Sequence, residues 1–293
     1  MVLPTYNERD NIAQLLTDIR QVMPQASILV IDDQSPDGTG AIADDLAASL
    51  GNIEVLHRTS KDGLGSAYRF GFSHLFSSAT HVPGLPTTND PTTSDLDIVI
   101  TMDADFSHDP KVLPSLIAAI LAGADAVVGS RYVRGGGTVD WPLHRRLLSR
   151  WGNLYTGAIL GVGVRDCTSG FRAYRLEALR EINPQSTSAE GYAFLTELIV
   201  RLSRQGRTIS EVPITFVDRK FGTSKMSGNI ILESMRLVTR WGVAHRWDQL
   251  RKFLTRRSSR DFDSRGNHSN ARYLAVLVRS RICCPRFEYL TMQ

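Results

Sequence analysis

Two aspartates separated by one small residue, Asp103 and Asp105 in ITMDADFSHDP, stand directly behind an apolar run. Carboxylates that close repel each other by on the order of several kcal/mol unless hydrogen bonds or a cation compensate. Two readings follow: a helix N-terminal cap reached through a turn, or a site for a divalent ion. Mg²⁺ or Mn²⁺ prefers one or two carboxylates completed by phosphate oxygens and water over an all-protein cage. Further acids favour the second reading. VIDDQSPDGT ends another apolar run with Asp32 and Asp33, and LPTYNE places Glu8 and the aromatic face of Tyr6 after the first run. A ribose would offer hydroxyls to Asp33, a uracil or guanine would stack on Tyr6, and Glu8 would take a base or ribose donor. Asp37 reads instead as part of a turn and helix start.

Cations follow on loops. GSRYVRGGG carries Arg131 and Arg134, LHRRLLSR carries Arg145 and Arg146, and DRKFGTSKMS carries Arg219 and Lys225. Glycines beside Arg131, Arg219 and Lys225 permit close approach of a phosphate, which a guanidinium binds in bidentate fashion. Lys220 and Arg204 read as a solvated face. KDGLGSA, Lys61 to Ala67, has the glycines of a phosphate loop but not the GxxxxGK[ST] spacing, which excludes a P-loop.

These residues need a scaffold that brings strand ends together. With 293 residues, 42% hydrophobic and 22% charged, the chain can bury one sizeable core or two small ones. SILVID, IEVLH, DIVITMD and ADAVVGS are brief, β-branched and non-alternating, as buried strands are, and Met1 to Leu3 reads as a very short first strand. Helical patterns lie between them, around Asn11 to Met23, Gly38 to Leu50, Gly65 to Phe76 and Pro110 to Leu121. Strand and helix in alternation imply a doubly wound, mostly parallel α/β sheet, whose ligands bind beyond the carboxyl ends of the strands. The acids fall on those ends. Beyond Arg131 a glycine-rich mobile segment, a basic helix and a short α/β stretch ending in ISEVPITFVDR are expected.

Ser77 to Asp95 is polar and punctuated by proline, so it reads as a surface loop of little order. From Asn229 to Trp247, Ile231, Met235, Val238 and Trp241 recur at helical spacing. Arg251 to Gln293 reads as a basic tail of low order. Cys167, Cys283 and Cys284 form no metal-ligand spacing, which points to reduced thiols in the cytoplasm. No apolar stretch reaches the roughly 18 residues of a membrane span, and the opening MVLPTYNE does not read as a signal peptide. The net charge of +4 suits a nucleic acid, an anionic membrane face or a phosphorylated substrate equally.

Taken in order, LPTYNE, VIDDQSPDGT, KDGLGSAYRFGF, MDADFSHDP, VVGSRYVRGG, DCTSGFRAY, EGYAFLTEL and RKFGTSK resemble the family 2 glycosyltransferases of the GT-A (Rossmann-like) fold. Within that family they resemble the dolichol-phosphate (polyprenol-phosphate) mannose synthases, from Met1 to about Trp247. The resemblance implies that Pro4, Tyr6, Glu8, Ile31, Asp33, Asp103 and Ala104 contact GDP-mannose, and that Asp105 and the position of Ser107 bind Mg²⁺ or Mn²⁺. Arg131, Arg219 and Lys225 would hold phosphates of donor and acceptor, with Asp103, Asp105 and Arg131 as the catalytic residues. The acceptor is then a polyprenyl or dolichyl monophosphate in a membrane, and nucleic acid is not a partner.

The chain departs from the family in three places: the short start before the first strand, the Ser77 to Asp95 loop, and the Arg251 to Gln293 tail. The C-terminal membrane helices of some members are missing, which leaves membrane contact to an amphipathic segment at 229–247 or to an integral-membrane anchoring partner. The expected organisation is a catalytic domain over 1–228, that segment, and a tail over 248–293, peripheral at the cytosolic membrane face. Three other readings share features with this one. A family 2 transferase with UDP-glucose or another donor would use the same lipid phosphate. A non-catalytic membrane-recruiting subunit would not need the acidic strand ends. A nucleotidyltransferase gives no reason for the Arg131 to Arg146 segment.

Overall fold

A computed structural model describes residues 1–78, 97–218, 234–244, 246, 247 and 251. The first strand, β1 (Val2–Thr5), is followed by α1 (Arg9–Val22), β2 (Ile28–Asp32), α2 (Thr39–Leu50), β3 (Ile53–His57), α3 (Leu64–Ser78) and β4 (Ile98–Thr101). A 3₁₀ turn at Pro110–Val112 leads into α4 (Leu113–Leu121), then β5 (Ala126–Ser130), β6 (Gly137–Val139) and α5 (Leu143–Leu160). The order closes with β7 (Arg172–Arg175), α6 (Leu176–Glu181), α7 (Gly191–Arg204), β8 (Ile209–Pro213) and β9 (Thr215–Val217). Four of the expected helices and five of the expected strands are present with shifted ends. The first strand runs two residues beyond Leu3, and the Pro110 helix begins as 3₁₀ because Asp109 caps it, accepting from the Lys111 N–H at 2.9 Å.

The main sheet has the order β3-β2-β1-β4-β7-β5-β8. Its pairings are parallel except for β7, which runs antiparallel to both β4 and β5. Strand residues point alternately to the two faces, and helices cover both, so the strands read as unbroken apolar runs. Leu3, Val30 and Ile100 pack with α1 and α4 on one face; Val2, Leu29, Ile31 and Val99 pack with α3 and α7 on the other.

Strand β7, RAYR, gives no apolar signal because two of its four residues are arginines. Both are bound within the protein. Arg175 donates to Ile120 O at 2.8 Å and Ala124 O at 3.1 Å, meeting carbonyls left over at the end of α4. The glycine-rich segment expected to be mobile instead contributes β6, which pairs in parallel with β9, Thr138 opposite Phe216. ISEVPITFV accordingly splits between two sheets at Ile214.

Residues Met1–Gly242 form one compact unit and Val243–Gln293 a second, of which only residues 243, 244, 246, 247 and 251 are described. The first unit thus runs past the expected boundary at 228. A helical segment at 234–244 spends its apolar side on packing: Val238 joins a cluster with Leu160 and Cys167, Trp241 packs against it, and Tyr155 and Thr239 share a hydrogen bond of 2.7 Å. Ile231 lies outside the described residues, as do most of the Ser77 to Asp95 loop, the tail apart from residue 251, and both Cys283 and Cys284. Among the described residues no helix is long and apolar enough to cross a membrane.

Candidate active site

Because β7 reverses direction twice over, β1 to β5 all finish on one rim, where Thr5, Asp32, His57, Thr101 and Ser130 end their strands. β2 and β4 flank β1, so the acid-bearing loops that follow them lie two interstrand spacings apart, about 10 Å. That distance suits a ligand with a sugar at one end and a diphosphate at the other.

The loops after β1 and β2 are sutured together. Asn7 N donates to Ser35 Oγ at 3.0 Å, Glu8 N to Thr39 Oγ1 at 2.9 Å and Arg9 N to Asp37 Oδ2 at 3.1 Å. Asp37 also accepts from the Thr39 backbone and hydroxyl, so it does serve the turn and the start of α2. Asp32 is committed as well, accepting from Ser35 N at 3.1 Å, Ser35 Oγ at 2.6 Å and Thr5 Oγ1 at 3.3 Å. Asp33, the acid just past the end of β2, has fewer bonds committed within its own loop.

Asp33 is buried beside Arg58, whose Nη1 donates to Oδ1 at 2.5 Å. Burial raises the Asp33 carboxyl above its ordinary range, and Asp32 and Asp62 push the same way; Arg58 offsets this only in part. Tyr6 carries the Lys61 ammonium 3.7 Å from its ring centroid, a cation–π contact on the aromatic expected to receive a base. Glu8 begins α1 and accepts from Asn11 Nδ2 at 2.8 Å. Pro4 is half-buried, whereas the side chains of Ile31 and Ala104 are inside the core. Any contact those two make with a ligand is therefore through the backbone.

After β4 the chain makes a tight loop. Phe106 holds a left-handed φ of 60°, costly by about 1 to 3 kcal/mol for a bulky residue and typical of sites where geometry serves function. The conformation lets Ser107 N donate to Asp105 Oδ1 at 3.1 Å. Asp103 lies against Gly170, where a Cβ would come within 3.0 Å of its Oδ1, so a side chain there would push the carboxylate aside. Asp103 N donates to His108 Nδ1 at 3.3 Å, and the His108 ring stacks on Phe171. Burial lowers the His108 pKa, keeping the ring neutral.

Asp105 is 3% exposed, and the Ser107 hydroxyl is buried with no hydrogen-bond partner among the described residues. An orphaned hydroxyl beside a buried carboxylate fits a ligand that supplies positive charge and oxygen coordination. Among the described residues no group of three or more His, Cys, Asp or Glu side chains could by itself hold a metal. The carboxylate and hydroxyl donors present are of the type that Mg²⁺ or Mn²⁺ accepts, an ion that completes its shell with substrate phosphate and water.

Arg131 sits on the same rim in a setting its sequence context did not disclose. Its Nε and Nη2 each donate at 2.7 Å to Asp166, its backbone N donates at 3.0 Å to the same carboxylate, and Nη2 reaches Thr168 Oγ1 at 2.8 Å. Tyr132, Trp141 and Phe216 surround the guanidinium at 5.3 to 5.6 Å. A phosphate would meet a cation already neutralised by a buried partner. Arg145 donates to Asp218 at 2.9 Å and lies 4.0 Å above the Trp141 ring. Arg219 and Lys225 lie outside the described residues.

Sequence reasoning missed Arg58, Lys61, Asp166 and Arg172. The first two were visible as cations behind the third strand end, Lys61 in the stretch set aside as a failed P-loop and Arg58 three residues before it. Asp166 and Arg172 lay within DCTSGFRAY without a role read from it; Arg172 is wholly buried and donates to the carbonyls of Cys167, Ser169 and Leu195 at 2.6 to 2.7 Å, shaping the loop that carries Gly170. Cys167 is buried in that loop, and burial pushes its thiol up to about 12, so it is a structural residue rather than a nucleophile.

The model of glycosyl transferase family 2 matches residues 1–81 and 88–183. The chain is 45% identical over 250 residues to an undecaprenyl-phosphate mannosyltransferase of Micrococcus luteus, covering 85% of this chain and 96% of that protein. It is 44% identical over 252 residues to a polyprenol monophosphomannose synthase of Mycolicibacterium smegmatis, covering 86% and 89%. Among solved structures, glucosyl-3-phosphoglycerate synthase of Mycobacterium tuberculosis in complex with Mn²⁺ and UDP-glucose superposes with a TM-score of 0.53 at 21% identity, over 83% of this chain and 77% of that one. A likeness at that identity concerns the fold alone.

Proposed function

This chain belongs to glycosyl transferase family 2 and has its GT-A fold, and on that premise we propose that it transfers mannose from GDP-mannose to a polyprenyl monophosphate, giving the β-linked polyprenyl phosphate sugar. The observation that carries the reading is the 44 to 45% identity, over most of the chain, to two relatives named for mannosyl transfer to such lipids. The acids on the rim supply the chemistry it needs. Asp33 accepts the ribose hydroxyls, Tyr6 offers its ring to guanine once Lys61 moves off it, and Pro4, Glu8 and the backbone of Ile31 and Ala104 complete the nucleoside contacts. Asp105 and Ser107 would hold Mg²⁺ or Mn²⁺, with Asp103 contacting the donor. The bound ion supplies charge stabilisation for the departing diphosphate.

No general base is assigned. A phosphate monoester has a second pKa of about 6, so the acceptor oxygen is already anionic at neutral pH and needs only positioning. Arg219 and Lys225 hold the phosphates of donor and acceptor. Arg131, clamped by Asp166, joins them in holding phosphate. Attack on the anomeric carbon from the side opposite the diphosphate inverts the α-linked donor.

The acceptor's apolar chain requires that the enzyme work at a bilayer surface, and α5 offers a face for it. Leu143, Leu147, Trp151 and Leu154 follow one another at intervals of four, four and three residues, and all are exposed, Leu154 at 71%. Arg146 and Arg150 lie on the same helix and complement anionic lipid at the cytosolic membrane face. Among the described residues of the 229–247 segment, Val238, Thr239 and Trp241 are spent on packing against α5. Leu147→Glu combined with Leu154→Glu is expected to abolish flotation with anionic liposomes while leaving the melting temperature intact; undiminished flotation overturns this face.

The test of the function is incubation with radiolabelled GDP-mannose, a polyprenyl phosphate and Mg²⁺ or Mn²⁺, followed by organic extraction, with UDP-glucose as the competing donor. Label is expected in the organic phase from GDP-mannose. Asp105→Ala is expected to lower it by about a thousandfold with the fold retained, the scale of losing an electrostatic contact made to the transition state. Retention of most activity in Asp105→Ala refutes the assignment.

A further inference from the structure

The segment between β3 and α3 contributes to the site in a way neither the acids nor the family match describes. Arg58 follows the last residue of β3 and its backbone N donates to Asp32 O at 2.8 Å, which continues the sheet by one residue and aims the side chain along the rim. The guanidinium is 9% exposed and divides its donors. Nη1 reaches Asp33 at 2.5 Å, and Nη2 reaches Ser66 Oγ at 2.6 Å and Asp62 Oδ2 at 3.2 Å. Ser66 is held in turn by Glu190, the residue before α7, whose Oε2 accepts from Ser66 N at 3.0 Å. Arg69, one helical turn along α3, pairs with the same Glu190 carboxylate and donates to Ala189 O at 3.0 Å.

The close approach is built in: a Cβ on Gly65 would lie 2.7 Å from Ala189 O and 2.8 Å from Glu190 Oε2. Asp33 accepts no other hydrogen bond among the described residues, so its orientation depends on Arg58. Arg58 is placed by Ser66, and Ser66 by Glu190, more than a hundred residues away.

We propose that Arg58, clasped by Ser66 and Glu190, is a positioning residue that sets the Asp33 carboxylate for the ribose hydroxyls of the donor. The proposal rests on the reading of Asp33 as the ribose acceptor in a nucleoside diphosphate sugar site. Two features make the clasp more than packing. The pair is at the rim rather than in the core, where Asp33 follows the last residue of β2 and Arg58 the last residue of β3. Lys61 rests on Tyr6 from the same segment, so one stretch of chain touches both the base face and the ribose acceptor.

The experiment measures calorimetric affinity for GDP and for 2′,3′-dideoxy-GDP, each with Mn²⁺, in the full chain and in Arg58→Gln, Arg58→Lys, Ser66→Ala and Glu190→Gln. The unaltered protein is expected to prefer GDP by about tenfold or more, the scale of hydrogen bonds to a charged acceptor. Arg58→Gln is expected to erase most of that preference by weakening GDP and not the dideoxy compound, with Arg58→Lys restoring part of it and Ser66→Ala and Glu190→Gln each losing about threefold. In the transfer assay the KM for the donor should rise while kcat stays within about threefold. A structural role alone would weaken both nucleotides equally and leave their ratio unchanged, which overturns the proposal. Should Arg58→Gln fail to fold, Ser66→Ala decides the matter in the same way, because it deletes only the hydroxyl. If the unaltered protein discriminates GDP from the dideoxy compound and Arg58→Gln still does so, this inference falls and the donor reading stands. If neither nucleotide binds the unaltered protein, both fall together.

Discussion

Two aspartate–arginine pairs stand on the same rim of the sheet, and they are built to opposite ends. Asp166 is completely buried, takes three hydrogen bonds from Arg131 and lies near the Thr168 hydroxyl, 3.3 Å away. Burial alone would raise its pKa, but the charge and hydrogen bonds of Arg131 more than compensate, and the carboxyl is held below its ordinary range. Asp33 is slightly less buried and takes one bond from Arg58; there burial prevails and the pKa rises. Depth runs the wrong way to explain this, since the more deeply buried Asp166 holds the lower pKa. The donors and charges facing each carboxylate separate them, three bonds from Arg131 with Arg172 nearby against one bond from Arg58 opposed by Asp32 and Asp62, because each bond to the ionised form restores part of the hydration lost. A saturated acid is a structural part, and an acid left short of donors is one for which a ligand can supply them.

The contrast breaks most visibly if Asp166 is neutralised. Asp166→Asn removes the carboxylate that takes three hydrogen bonds from the buried Arg131, among three aromatic rings, and is expected to cost about 3 to 5 kcal/mol in urea unfolding. A loss under about 1 kcal/mol would mean that the rings and Thr168 satisfy Arg131 unaided. Asp33→Asn should show the reverse profile, with little change in unfolding and a donor KM raised by about 10- to 100-fold, the scale of hydrogen bonds to a charged group. Equal effects on stability from the two substitutions would erase the distinction between them.

A subtler test uses pH. Since the Asp33 pKa is raised, the carboxylate begins to protonate above its ordinary range as pH falls, and GDP affinity should decline on acidification before the protein loses stability. Asp32 and Asp62 press in the same direction as burial and Arg58 against it. Arg58→Gln should therefore move the decline to higher pH. Asp166, with its depressed pKa, contributes stability that is present above the unfolded carboxylate value and is lost only as pH falls through its lower folded value. Acid unfolding that precedes the loss of GDP binding would contradict this order.

Much of the rim was legible from the chain itself. Acids directly after β-branched runs placed Asp33, Asp103 and Asp105 at strand ends, and alternation of strand and helix brought those ends to one edge. The part of Asp37 in the turn and the start of α2 was legible as well. Other features were hidden for physical reasons. RAYR reads as polar, yet it is a central strand because Arg172 finds three carbonyls and Arg175 finds the end of α4. Asn229 to Trp247 reads as an amphipathic helix, but Val238 and Trp241 turn to the core while α5 keeps Leu143, Leu147 and Leu154 outside. A periodic apolar stripe shows that a face exists and is silent about what covers it.

What the sequence by itself determined is local: which runs become strands, where each stops, and which acids follow the stop. These depend on side-chain shape, periodicity and turn chemistry over a few neighbouring residues. Only the tertiary structure decided which acids are saturated and which are left wanting, because the partners come from afar, Arg58 from 25 residues beyond Asp33 and Asp166 from 35 beyond Arg131. The energy of a buried charge is set by the donors that surround it in space, and strand order, with β7 reversed between β4 and β5, chooses those donors.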